Sequence, residues 1–578
     1  MRFFRRREKS STATTKNIDQ TLVLHLSKSR IPNLKQLKYA GRFLSPMERL
    51  GFYISILIAV GGLIFVASIF YKNHVETIPD EGGHYIEGLV GNPQYINPLY
   101  SSLNDADADL EKIIFSRLFT KDENGQAIPD LADKTDISNN GKTYTISLKD
   151  AYWHNGETVT ADDLIFTFGL IQNPDYRSPL RSRFNGVSID KVDDKTVVFS
   201  LKEPYRDFIK SLDFGIMPSD YWQAVSSQTM PLAELNIKPI GSGPYRFKTL
   251  IKTKSGTIKS YVIERNDAYY GSKPLLDEIT FKFYASPEEM IAALNNGELN
   301  GLSYLSSDLV ESIVAKNSLD YHSIALPNLT AIFFNLKSKS AISEKTIRQA
   351  LAAAIDQDKI VSSSIGKWGI SAQSILPNYF PGNRKTFVTD QNKARQLLEG
   401  AGWQYRDNAW FKNDQPLTIN LIAPDTMKNI SDKVAEAWNS LGIKTNVSLQ
   451  NSDSIEKDIL ANKQFDVIIY SISMAESDIY PTWRSGSEIN ISSWSRNDVD
   501  RWLEEASLIN DNNEAARRYE AFVTAEADDV PAIPLFWEAL VYPQTKKIKG
   551  FKIYFLEDPA ERFVEIANWY IKTSKKLK

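Results

Sequence analysis

The residue types that do acid–base and nucleophilic chemistry are sparse in this chain. Histidine, the commonest general acid or base and a frequent metal ligand, occurs five times. His25 lies in a basic N-terminal stretch, His74 and His84 bracket a short polar segment, and His154 and His322 stand far apart. No His-Glu-x-x-His, Gly-x-Ser-x-Gly or Gly-x-x-x-x-Gly-Lys-Ser/Thr motif is present. Gly241-Ser242-Gly243 has the outline of a nucleophile turn, but Pro244-Tyr245 follows and breaks the pattern. The adjacent carboxylates Asp162 and Asp163 follow Thr160 and read as a helix capping box, not as a catalytic pair. With no cysteine there is no thiolate nucleophile, no Cys-based zinc or iron–sulfur site, no disulfide and no lipid-bearing Cys. The expectation is a protein with no catalytic residues, no metal and no cofactor. An acid–base pair hidden among the 71 Asp and Glu is the enzymatic chemistry left open.

The elements that would position any site alternate between two periods. Tyr144, Ile146 and Leu148 alternate with Thr143, Thr145 and Ser147; Val197, Phe199 and Leu201 alternate with Thr196 and Ser200; Leu417, Ile419 and Leu421 alternate with Thr418 and Asn420. These are half-buried strands. Helix starts are marked at Thr160–Asp163 and at Ser286-Pro287-Glu288-Glu289, where Pro occupies the first turn. Val434, Trp438 and Leu441 keep helical spacing up to Gly442, and Gln396–Glu399 ends at Gly400. Interleaved strands and helices define an α/β protein. Gly241, Gly243 and Pro244 read as a turn needing unusual backbone torsions.

Before these elements lies an uncharged run of 22 residues, Leu50 to Tyr71, fenced by Arg49 and Lys72. That is the length a membrane-crossing helix needs. Twelve Lys/Arg and three Asp/Glu precede residue 50, out of 68 and 71 in the chain, so the remainder is acidic by about 12. Basic flanks stay inside, which predicts a cytoplasmic tail at 1–49, a membrane helix at 50–71, a polar tether at 72–83 and an extracytoplasmic body. A cleaved signal peptide is the rival reading; the length of the run and its start at residue 50 argue against it. The acidic body argues against nucleic acid as a partner.

Several short motifs in the body resemble those of the family 5 solute-binding proteins of ABC importers, the oligopeptide/dipeptide-binding protein family. In family order along the chain they are Asn97-Pro98-Leu99, Pro129–Ala132, Tyr144–Lys149 followed by Trp153-His154-Asn155-Gly156-Glu157 and Thr158–Asp163, Val197–Leu201, Gly241–Tyr245, Asn266–Pro274, Asn296-Gly297-Glu298, Arg348–Leu351, Ile355-Asp356, Leu397-Leu398 with Ala401-Gly402-Trp403, and Pro531–Pro534. The resemblance implies a two-lobed, class II periplasmic-binding-protein-like α/β fold. Lobe I would be 84–330 plus 536–578 and lobe II 331–535, with hinge crossings near Ala331–Asn335 and Pro534–Trp537. It further implies a monomeric receptor that closes on a peptide or peptide-like solute and delivers it to an ABC permease, with no reaction performed. A solute sensor signalling through the cytoplasmic tail is the alternative, and an extracytoplasmic hydrolase a more distant one.

For the cleft, the resemblance points to Tyr100, Ser102, Asn104 and Asp105 from lobe I. From lobe II it points to Trp368, Glu476, Asp478, Trp483, Arg484 and Trp494. The family's amine-binding Asp falls near Ala475 here, with Glu476 beside it; Asp478 fits a second, structural acidic position. Arg484 could pair a ligand carboxylate or form a surface salt bridge. The tryptophans could offer stacking faces or pack in the core.

Overall fold

The apolar run lies inside one helix, Pro46–His74, opened by a capping box in which the Glu48 carboxylate accepts from the Ser45 N–H at 2.8 Å. The computed structural model describes residues 45–577 apart from 123–124, 139–140, 205, 207, 308, 315, 378–379, 381–386, 510 and 553–555. Most of the basic tail, residues 1–44, therefore lies outside the described residues. None of the residues of Pro46–His74 is buried, and among the described residues it alone is long and apolar enough to cross a membrane. The expected tether is not simply a linker: Val75–Asp80 is a strand, and it pairs with the last strand of the chain, Lys572–Leu577. The Lys575 ammonium lies 5.1 Å from the centre of the Tyr71 ring, a cation–π contact. These elements make one compact unit, and Pro79–Lys572 make a second.

The second unit is built on an eleven-stranded sheet whose spine is two long antiparallel strands, Leu319–Phe334 and Ala532–Thr545. At one end they carry His84–Val90, reached through the short strand Gly301–Leu302, and beyond it Glu278–Tyr284, Ile258–Arg265 and Tyr245–Lys252. At the other end Leu319–Phe334 pairs with Val467–Ser473, which leads to Thr418–Pro424 and Lys444–Gln450. Between the two ends the register of the spine breaks. Ala325 pairs with Ala539 and Leu329 with Trp537, which leaves Leu326, Pro327 and Asn328 opposite Glu538. Pro327 supplies the reason, since proline has no N–H for the ladder and is tolerated in sheets at bulges.

The cores divide at the same place. On one side of the break Ile332 and Phe334 enter a cluster with Leu351, Leu421 and Trp438, while Ala331 and Phe333 on the opposite face enter a cluster with Trp483, Trp494 and Phe522. On the other side Ile324 and Tyr542 pack with Tyr85, Phe281 and Trp569, and Val541 with Leu302 and Met290. A strand buried on both faces needs helices on both faces, and this division produces two lobes. The expected strands are present as Thr143–Leu148, Thr196–Leu201 and Thr418–Pro424, each burying alternate residues.

Two helix signals resolve into specific contacts. The Asp163 carboxylate takes the Thr160 N–H at 2.9 Å with one oxygen, and with the other the N–H and hydroxyl of Ser219, each at 2.8 Å. The cap thus also fastens a distant loop. The glycines of Gly241-Ser242-Gly243 serve a purpose different from the expected torsions. A Cβ on Gly241 would stand 1.9 Å from the Ile114 carbonyl oxygen, and one on Gly243 2.4 Å from that of Ile113. Close approach to the end of helix Asp105–Ile114 excludes a side chain, and the Gly243 N–H donates to the Ile114 carbonyl at 2.9 Å. His154 holds the same turn: its Nδ1 accepts from the Gly241 N–H at 3.2 Å, and its Nε2 stands 3.1 Å from the Gly243 carbonyl. This pairing requires a neutral ring with the proton on Nε2. Burial pushes the imidazole down to about 4. Two sequence motifs separated by some ninety residues thus form one contact.

Candidate functional site: the inter-lobe cavity

Helix Asp105–Ile114 is N-capped by Asn104, whose Oδ1 accepts from the Ala106 N–H at 2.9 Å. Its apolar positions Leu110, Ile113 and Ile114 are buried, which turns Ala108, Glu111 and Lys112 toward a cavity of about 870 Å³. That volume suits a small ligand held between domains. The cavity is closed by residues 182–187 and 201–204, by the segment Lys210–Gly215 and by Glu557–Glu561. From the other lobe comes Ala475, which precedes helix Glu476–Trp483.

The walls carry charge of both signs, and most of it is paired. The Lys121 ammonium bridges Glu557 at 2.5 Å and Glu561 at 3.0 Å. Arg183 lies 3.5 Å from Asp213, and Arg117, behind the wall, 3.4 Å from Glu111. Burial raises the Glu111 carboxyl, and Arg117 and Lys112 only partly oppose it. At Glu561 burial is outweighed by Lys121 and Lys112, which hold its carboxyl below the usual range. At Asp213 burial is again outweighed, by Lys121, Lys112 and Arg183. Lys112 is pulled down by burial and by Arg117, against the attraction of Glu561, Asp213 and Glu111.

Behind this wall, the buried Arg562 ties the C-terminal segment to the lobe. Its Nη2 lies 2.7 Å from Glu87 and 2.5 Å from Asp109, and its Nη1 2.7 Å from the other Asp109 oxygen; the side chains of Arg562 and Glu87 are wholly buried and that of Asp109 is 1% exposed. The Tyr542 hydroxyl donates to Glu87 at 2.7 Å. Burial nonetheless lifts Asp109 to about 7.

The residues expected in the cleft are scattered. Ser102 lines the cavity. Asn104 serves as the helix cap, and Asp105 accepts a hydrogen bond from the Tyr304 hydroxyl. Tyr100 donates to the Tyr176 carbonyl at 2.8 Å. Trp368 packs against Tyr321 with ring centres 5.4 Å apart, on the far side of the spine break from the lobe expected for it. Trp483 and Trp494 are core residues, 2% and 3% exposed, packed on one another and on Phe522. The Trp494 Nε1 donates to Asp529 at 3.0 Å. Arg484 is exposed, its guanidinium over the Tyr480 ring. Glu476 and Asp478 stand in the first turn of Glu476–Trp483, and their side chains lie outside the described residues. The reading of the sequence missed Lys112, Lys121, Asp213 and Glu561. A lysine within Asp105–Ile114 has the look of a solvated helix position, and the acids facing it, Asp213 and Glu561, come from segments 101 and 449 positions further along the chain.

Two lobes joined by a two-stranded spine, with a polar cavity walled from both, define a solute-binding protein. The description "Bacterial extracellular solute-binding proteins, family 5 Middle" matches residues 126–488, more than half of the chain. The chain belongs to this family. The oligopeptide-binding protein AppA of Bacillus subtilis is 27% identical over 516 residues, covering 85% of this chain and 92% of that protein. The dipeptide-binding protein of Escherichia coli is 24% identical over 498 residues, covering 80% and 91%. Among solved structures, the substrate-binding protein CtaP of Listeria monocytogenes superposes with a TM-score of 0.70 at 24% identity, covering 85% of this chain and all of that one.

Proposed function

We infer that this chain captures a peptide or peptide-like solute between its lobes and delivers it to an ABC import permease, performing no reaction on it. The observation that carries this reading is the cavity bounded by Glu111, Lys112 and Glu561 on one side and Ala475 on the other. A ligand there touches both lobes, and only contacts that differ between open and closed states favour closure. The names of the relatives, one an oligopeptide-binding and one a dipeptide-binding protein, support peptide as the ligand. In this reading Pro46–His74 is an uncleaved single-pass anchor with the basic tail in the cytoplasm, which keeps a monomeric receptor near its permease. The lobes divide where the spine register breaks, near Leu326–Asn328 and Glu538, a few residues before and after the boundaries expected from sequence. The test is native mass spectrometry of the full chain in detergent micelles after incubation with a mixed peptide library. Peptide retained one to one is the expected result. Retention of a sugar or metal chelate, with no peptide, overturns the ligand assignment.

A further inference from the structure

Ion pairs around the cavity take up several of its cations, while the exposed Lys202 on its rim has none among the described residues. Glu557 and Glu561 hold Lys121, Asp213 holds Arg183, and Glu111 holds Arg117. Lys112 also faces the cavity, and among the described residues its ammonium makes no hydrogen bond and no ion pair. It is fixed on a helix face between the buried Leu110 and Ile113, and is itself only partly exposed. A desolvated ammonium without a partner is costly, and the cost is relieved when an anion arrives. At the opposite wall Ala475 offers no carboxylate for a ligand amine.

We propose that Lys112 is the charged anchor of the ligand and takes its carboxylate, so that this receptor selects peptides by the free C-terminal carboxyl group and not by an acid at position 475. The inference rests on the peptide reading above. The nearby acids fit it: the exposed Glu557 and Asp558 at the cavity edge tolerate a positive group elsewhere on the ligand and disfavour polyanions. Lysine meets a carboxylate as a point charge with rotatable donors, so it fixes the end of a ligand without dictating its side chains.

The test compares two synthetic tetrapeptide libraries of the same composition, one with free C-terminal carboxylates and one C-terminally amidated, on the full chain in detergent micelles. Wild type is expected to retain the free-carboxylate library about tenfold better, the loss expected when a charge-assisted hydrogen bond is removed. Lys112→Met is expected to bring the two libraries to parity, and Lys112→Arg to keep the preference. Equal retention of both libraries by wild type, or a preference that survives in a Lys112→Met protein with an unchanged melting temperature, overturns the proposal and leaves the peptide reading standing. If wild type retains neither library, the peptide reading fails and this inference with it. Should Lys112→Met not fold, the comparison on wild type decides alone.

Discussion

Asn328 Nδ2 donates to Glu538 Oε2 at 2.7 Å, linking the two spine strands at the point where their backbone pairing is interrupted. Because the main-chain ladder is missing there, this side-chain bond is what connects the strands across the bulge. Asn328→Ala is expected to cost little stability, about 1 kcal/mol or less for a solvent-accessible hydrogen bond, while widening the distribution of inter-lobe distances. The chain has no cysteine, so label pairs introduced at the exposed Lys202 and Glu488 report that distribution directly. An unchanged distribution removes this bond from the hinge.

Arg562 with Glu87 and Asp109 is a buried ion cluster, and removing one member leaves a charge without compensation. Arg562→Met is expected to destabilise the protein by about 3–5 kcal/mol, whereas replacing all three by apolar residues of similar size restores much of the loss. Chemical denaturation of the single and triple variants measures both. A single variant as stable as wild type contradicts the account.

His154 is neutral in the fold, with its pKa depressed to about 4 from the ordinary 6.5. A depressed histidine contributes stability that is complete above the unfolded value and is lost as pH falls from about 6.5 to about 4; the full effect is about 3 kcal/mol at most. Melting curves of wild type and His154→Gln should therefore converge on acidification through that window. Parallel curves would show that the imidazole does not titrate with unfolding.

Gly241→Ala places a methyl group against the Ile114 carbonyl. The backbone must shift, at a cost of about 1–3 kcal/mol, and the His154 contact with the same turn should weaken. Gly91→Ala makes a useful contrast: that position has open space but a φ of +98°, so its cost is torsional. A Gly241→Ala protein that melts with wild type and retains the His154 pH profile would refute the packing argument.

Glu526 is wholly buried in helix Asn512–Asp529, and neither of its carboxylate oxygens has a hydrogen-bond partner among the described residues. Burial, with the Asp529 charge adding to it, raises its pKa well above the ordinary value. A raised carboxyl favours folding fully below its unfolded pKa, and that contribution is lost as pH rises toward the folded one. Glu526→Met, which keeps the volume, should thus raise the melting temperature, and by more at pH 8 than at pH 5. A gain of the same size at both pH values would indicate packing in place of titration.

The local rules carried much of the fold. The capping box at Thr160–Asp163, the alternation in Thr143–Leu148 and the apolar run all reappear as the elements their periods predict. Smaller readings shifted: helix Gln391–Gly400 ends at Gly400 as expected, but the left-handed glycine is Gly402. The candidate site was less legible because its chemistry comes from pairing at a distance. Trp483 and Trp494 have the aromatic faces that a ligand or a core could use, and only tertiary packing distinguishes the two uses. Lys112 stands out because, unlike Lys121, Arg183 and Arg117, it is paired with none of the acids around it, a contrast visible only once residues 111, 213, 557 and 561 are in one place.

The strand Val75–Asp80 follows the apolar helix directly, and its partner, Lys572–Leu577, lies far along the chain. A ribosome delivers nearly five hundred residues between the two. Long-range pairing of this kind is slow and comes late, so the segment beside the apolar helix remains an open edge until residues 572–577 have been made. Deletion of residues 572–577 would leave that edge exposed for the life of the protein.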